Sequence, residues 1–153
     1  MALEWWEGKT ETNTADYHIE NYKLRVWEEA PENVNNIIKT TQEWGVHFHW
    51  ETLGPVAEWL NATFHLRVFL ESMGPGPDYQ FPESAALTVG TTEEDFVGGR
   101  RHYERDITIA PVSITPGTYK LVCIIQVYDD NVNEPVPVVG FCEGPMLEFY
   151  RPH

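Results

Sequence analysis

Basic residues are scarce: 10 lysines and arginines stand against 24 aspartates and glutamates, giving a formal net charge of -14 over 153 residues. Such a surface repels a phosphate backbone or an anionic bilayer, so neither nucleic acid nor membrane is an expected partner. Cysteine is scarcer still. With only Cys123 and Cys142, the chain lacks the disulfide framework on which small secreted domains rely, and a reducing compartment is the expectation. No segment approaches the roughly 20 apolar residues of a membrane span. The opening MALEWWEGKT sets acids beside its tryptophans, where an export signal would carry basic and then apolar residues. A cytoplasmic location is therefore expected.

Catalytic signatures are missing as well. The chain has no G-x-S-x-G, no P-loop, no H-E-x-x-H and no C-x-x-C. Carboxylates meeting from distant strands leave no such signature, so the gap lowers the expectation of catalysis without removing it. What is present is apolar and aromatic. A hydrophobic share of 42%, with 13% aromatic residues, supplies enough burial to offset the ordering entropy of a folded chain.

The organisation is β throughout. Residues 1–21 are polar and without period, and are read as an arm; residues 22–153 are read as a single β-sandwich domain. YKLRVWEE alternates Tyr22, Leu24 and Val26 with Lys23, Arg25 and Trp27, the two-residue period of a half-buried strand. IIKTT and GVHFHWET follow. NATFHLRVFLES places Phe64, Leu66, Val68 and Leu70 on one side and Thr63, His65, Arg67 and Glu71 on the other. MGPGPDYQFPES is a loop, because its prolines cannot donate to a ladder. AALTVG and YERDITIA are further strands, and GTYKLVCIIQVYDD with VPVVGFCEGPMLEFY forms a hairpin about NVNEP. Seven to eight short strands separated by turn signals indicate an all-β, antiparallel sandwich.

At ITPGTYKLV the chain resembles the immunoglobulin-like and fibronectin-type-III-like sandwiches. Their penultimate strand opens after a Pro-Gly turn with a tyrosine whose hydroxyl bonds back to the corner, a role the resemblance gives to Tyr119. It implies an immunoglobulin-like architecture and no activity, since such sandwiches host many functions. One departure from antibody domains is plain: Cys123 has no cysteine partner in GVHFHW.

In WGVHFHWETLG, His47 and His49 alternate with Val46, Phe48 and Trp50. If this strand pairs with FHLRVFLE as a hairpin around LGPVAEW, the apolar residues at even positions share the core face. His47, His49, Glu51, His65 and Arg67 then share the outer face, and in one register His49 stands across from His65. His47, His49 and His65 become candidate ligands for zinc or another divalent metal, since imidazole suits zinc, copper and nickel. The plainer reading is a solvated strand face, which Arg67 favours because a fixed cation disfavours a second. No other cofactor is indicated.

DDNVNE, residues 129–134, resembles a calcium loop in its oxygen donors but lacks the glycine of the sharp turn, so hairpin-tip chemistry explains it better. The hairpin also brings Cys123 near Cys142, either bonded or as two buried thiols. GGRRHYERD clusters Arg100, Arg101, His102 and Arg105, and balancing the preceding EED is its plainest use. Aromatic side chains off the apolar parity or near turns, namely Trp5, Trp6, Trp27, Trp59 and Phe69, are candidate interface residues. The leading expectation is thus a non-catalytic interaction module acting on a protein partner or as a homo-oligomer. Its alternative is a metal-binding protein or metalloenzyme built on the histidine cluster.

Overall fold

The computed structural model describes residues 5–12, 18–28, 33–34, 37–53, 62–83, 86–90, 95–97, 100–131 and 134–152. Their regular structure is entirely β, in two open sheets packed face to face. With strands numbered in chain order, the first sheet holds β1 (Trp6–Glu7), β3 (His18–Glu28), β4 (Asn33–Val34), β6 (Trp44–Leu53), β10 (Asp95–Val97) and β11 (Arg100–Ile109). Its order is β1-β3-β6-β11-β10, with β4 also on β3. The second sheet holds β2 (Lys9–Thr12), β5 (Ile37–Lys39), β7 (Ala62–Ser72), β8 (Tyr79–Phe81), β9 (Leu87–Gly90), β12 (Gly117–Asp129) and β13 (Glu134–Tyr150). Here the order is β2-β13-β12-β7-β8, with β5 on β13 and β9 on β7. Every pairing is antiparallel except β5 with β13. Among the described residues no helix is long and apolar enough to cross a membrane.

The expected antiparallel sandwich is therefore present. Six strands of ten or more residues carry it, and seven of two to four residues line its edges. Short edge strands need little apolar alternation, because their backbone groups pair whatever the side chains are. For the same reason residues 6–12, expected as part of an arm, belong to the sandwich instead: β1 pairs with β3, and β2 with β13. The chain steps from one sheet to the other at Gly8, where a Cβ would strike the Tyr22 ring.

The core follows the two-residue period. Trp44, Val46, Phe48 and Trp50 of β6 and Phe64, Leu66, Val68 and Leu70 of β7 are all fully buried. Trp50 stacks on Tyr103 of β11 at 5.3 Å and meets Phe64 edge-on at 5.4 Å, joining the two sheets. Each such side chain removes about 150–250 Å² from water.

That contact overturns the expected hairpin. β6 and β7 do not pair; β6 lies between β3 and β11, whereas β7 lies between β12 and the short β8 and β9. Two strands with apolar faces of the same parity bury them either side by side or face to face, and here they do so face to face. The final hairpin is as expected, with Cys123 directly opposite Cys142 and both thiols free and buried. Tyr119 donates its hydroxyl to the Thr115 carbonyl at 2.7 Å, the corner bond expected of ITPGTYKLV.

Candidate metal centre

The outer face of the first sheet carries the densest set of metal-ligating side chains among the described residues. β6 presents His47, His49 and Glu51 outward, and the antiparallel β11 presents Asp106, Glu104 and His102 directly opposite them. β3 flanks the other side with Arg25, Lys23 and Glu20. Nine strand positions thus interleave imidazoles, carboxylates and two cations in a pattern set by backbone pairing and the two-residue period.

His49, Glu51 and His102 converge. One ligand atom from each lies within 4.8 Å of the other two. The His49 and His102 rings meet edge to face with centroids 4.4 Å apart, and His102 Nδ1 stands 3.4 Å from Glu51 Oε2. A tetrahedral site with ligand bonds of about 2.1 Å places its donors roughly 3.4 Å apart, the separation at which His102 Nδ1 and Glu51 Oε2 already stand. His49 is buried, while Glu51 and His102 are half-buried, so the cluster is reachable from solvent.

Asn21 organises one edge of this group. Pairing of β3 with β6 runs from Glu20 opposite Glu51 to Lys23 opposite His49, so one extra residue is inserted in β3. Asn21 adopts a left-handed backbone at this bulge, φ 50°. Its carbonyl lies 3.0 Å from His49 Nδ1, and its side-chain amide donates to Glu51 Oε1. A carbonyl only accepts, so the His49 proton resides on Nδ1 and the lone pair on Nε2. Burial, opposed by that Asn21 bond and assisted by His102 and Lys23, lowers the His49 pKa and favours the neutral ring a metal requires.

His47 has a different environment. Its Nδ1 is 3.0 Å from Asp106 Oδ1, and its Nε2 is 3.5 Å from Glu104 Oε1. The Asp106 hydrogen bond, working against burial and aided by Glu104, raises the His47 pKa. Burial alone would raise Asp106, but His47, the Trp27 indole and Arg25 together hold its carboxyl below the usual range. Trp5 covers this region, its ring 5.9 Å from His47 and 6.0 Å from His49, with Lys23 and Arg25 each 4.6 Å from it.

Of the sequence-derived ligands, His49 is in the cluster and His47 stands beside it. His65 is elsewhere, on β7 of the opposite sheet, stacked on Tyr128 at 4.0 Å, because β6 and β7 face each other instead of pairing. Glu51 falls on the expected outer face. His102 and Asn21 escaped sequence reasoning as site residues. A signal for the first exists: HYERD sets His102, Glu104 and Asp106 at the same two-residue period as HFHWE. Among the candidate interface residues, Trp27 is instead buried, its Nε1 donating to Asp106 at 3.2 Å. Gly45 makes this possible, since a Cβ there would come within 2.5 Å of the Trp27 ring. Trp6 packs against the core, Trp5 lies over the histidines, and Phe69 borders a shallow cleft with Val122, Ile124 and Phe141 on the second sheet. Trp59 lies outside the described residues. The DDNVNE tip, residues 129–134, lies partly outside them too, and Asp129 accepts from the Asn131 backbone amide, in keeping with the expected turn chemistry.

No protein-family model matches the chain, and no curated protein matches it. Among solved structures it is similar to an alkylpurine DNA glycosylase of Pseudomonas fluorescens bound to DNA containing an abasic site analog, with 15% identity and a TM-score of 0.41. The match covers 90% of this chain but 31% of that one, so the chain spans about a third of its neighbour's length. The neighbour is an enzyme on DNA, against the expectations of a non-catalytic module and of no nucleic-acid partner, and those two expectations are withdrawn. At this TM-score the likeness carries neither DNA binding nor glycosylase chemistry to the present chain.

Proposed function

We propose that this chain is a divalent-metal-binding β-sandwich whose ligands are His49, Glu51 and His102. The observation that carries it is the convergence of their three ligand atoms within 4.8 Å on paired strands of one sheet. Two imidazoles and a carboxylate suit zinc and its first-row neighbours, whereas calcium and magnesium prefer all-oxygen sets. Three protein donors leave a coordination position for water or a small ligand. The commitment of His49 Nδ1 to a backbone carbonyl supports the same reading, because metal-bound histidines regularly donate their second nitrogen in this way. A corner formed by Tyr119 and Thr115 also supports reading the sandwich itself as immunoglobulin-like.

The test is calorimetric titration of chelator-treated protein with zinc, cobalt, nickel and copper, and with calcium and magnesium as controls. One equivalent of zinc binds, and the melting midpoint rises with zinc, by about 2.7 kcal/mol of added stability at 100 times the dissociation constant. Absence of binding and of any midpoint shift for all four transition metals overturns the reading.

A further inference from the structure

We infer that Asn21 is the positioning residue of the His49, Glu51 and His102 site, a role that rests on the metal-binding reading above. The bulge sets Asn21 and Tyr22 opposite the single residue Trp50, between the Glu20–Glu51 and Lys23–His49 pairs. Tyr22 turns inward and is buried, while Glu20, Asn21 and Lys23 remain on the outer side. An ordinary strand alternates its faces, so only the inserted residue brings a backbone carbonyl and a side chain onto the ligand-bearing face together.

Both groups of Asn21 are used. Its carbonyl accepts from His49 Nδ1 at 3.0 Å, leaving Nε2 as the ligating atom, and its side-chain amide donates to Glu51 Oε1. The other Glu51 oxygen, Oε2, faces His102. One residue therefore fixes the tautomer of one ligand and the orientation of a second, which itself meets the third. A non-glycine residue at φ 50° is held in a sparsely populated region, and Asn is among the few side chains that tolerate it. Outer partners of this type change metal affinity by roughly 10–100-fold when removed, because the ligands must then be ordered by the metal itself.

Asn21→Gly isolates the amide. Glycine keeps the left-handed backbone and the carbonyl, so the His49 bond survives while the Glu51 bond is lost. In the full chain, zinc affinity of Asn21→Gly should fall roughly tenfold, with a changed cobalt d–d absorption spectrum and a metal-free melting midpoint close to that of the parent. In a Glu51→Ala background the same substitution should cost no further affinity, since the amide acts through Glu51. Parental zinc affinity with an unaltered cobalt spectrum in Asn21→Gly overturns the positioning role and leaves the metal site standing. An equal loss in the Glu51→Ala background overturns it too. A parent protein that binds neither zinc nor cobalt removes the site and this role together.

Discussion

His49 and His102 meet edge to face across β6 and β11 although neither is the other's strand partner: His49 pairs with Glu104, and His102 with Glu51. The contact is diagonal, one step along the ladder. Diagonal neighbours on one sheet face lie within reach of long or aromatic side chains, and this offset gathers two imidazoles around one carboxylate.

Substitution of single histidines separates this cluster from the set expected from sequence. His102→Ala should reduce zinc affinity on the order of 100-fold, at least as much as loss of an outer partner does, because a direct ligand is removed. His65→Ala should leave it unchanged. Calorimetric titration of the two variants measures both, and a loss in His65→Ala equal to that in His102→Ala would falsify the assignment.

Gly45→Ala should destabilise the fold by about 1–3 kcal/mol, the usual range for overpacking. The added methyl would sit 2.5 Å from both the Ile107 carbonyl and the Trp27 ring, and backbone cannot yield as a side chain can. Urea denaturation of the variant, together with the near-ultraviolet signal of Trp27, measures the cost.

The pair His47 and Asp106 gives stability a defined pH window. His47 has a raised folded pKa, so its contribution is complete below the ordinary value of 6.5 and is lost as pH rises through the raised one. Asp106 has a lowered folded pKa, so its contribution is present above the ordinary 3.8 and is lost as pH falls through the lowered one. Asp106→Asn should therefore cost most stability between those limits and progressively less at higher pH. Denaturation curves from pH 4 to pH 9 test this, and a cost that grows above pH 8 contradicts the pairing. His49, with its lowered pKa, contributes the opposite slope in both proteins and cancels in the difference.

Both thiols should resist modification while the protein is folded. Burial raises Cys123 well above the ordinary range, and burial with Glu143 nearby raises Cys142 to about 11. The thiolate is the reactive species, so disulfide reagents at pH 8 should label neither residue until denaturant is added. Rapid labelling of native protein contradicts this placement.

Much of the site was legible strand by strand. Alternation in GVHFHWET put His47, His49 and Glu51 on the outer face, because successive side chains of any strand point to opposite sides. The same rule identified the buried series Phe64, Leu66, Val68 and Leu70. What alternation does not encode is the neighbour. Backbone donors and acceptors are alike on every strand, so β6 pairs as readily on paper with β7 as with β11, and that choice decides between His65 and His102.

The sequence by itself determined the acidic composition, the all-β class, the buried and outer faces of β6 and β7 and the corner tyrosine, all of which depend on composition or on residues close together in the chain. Tertiary structure alone decided that β11 lies beside β6, that β7 lies across the core from it, and that β3 bulges at Asn21. These depend on how two apolar faces of equal parity are buried together, where Trp50 packing on Phe64 and Tyr103 selects one arrangement. The candidate centre exists because that long-range packing, and no local pattern, brings residue 102 to residues 49 and 51.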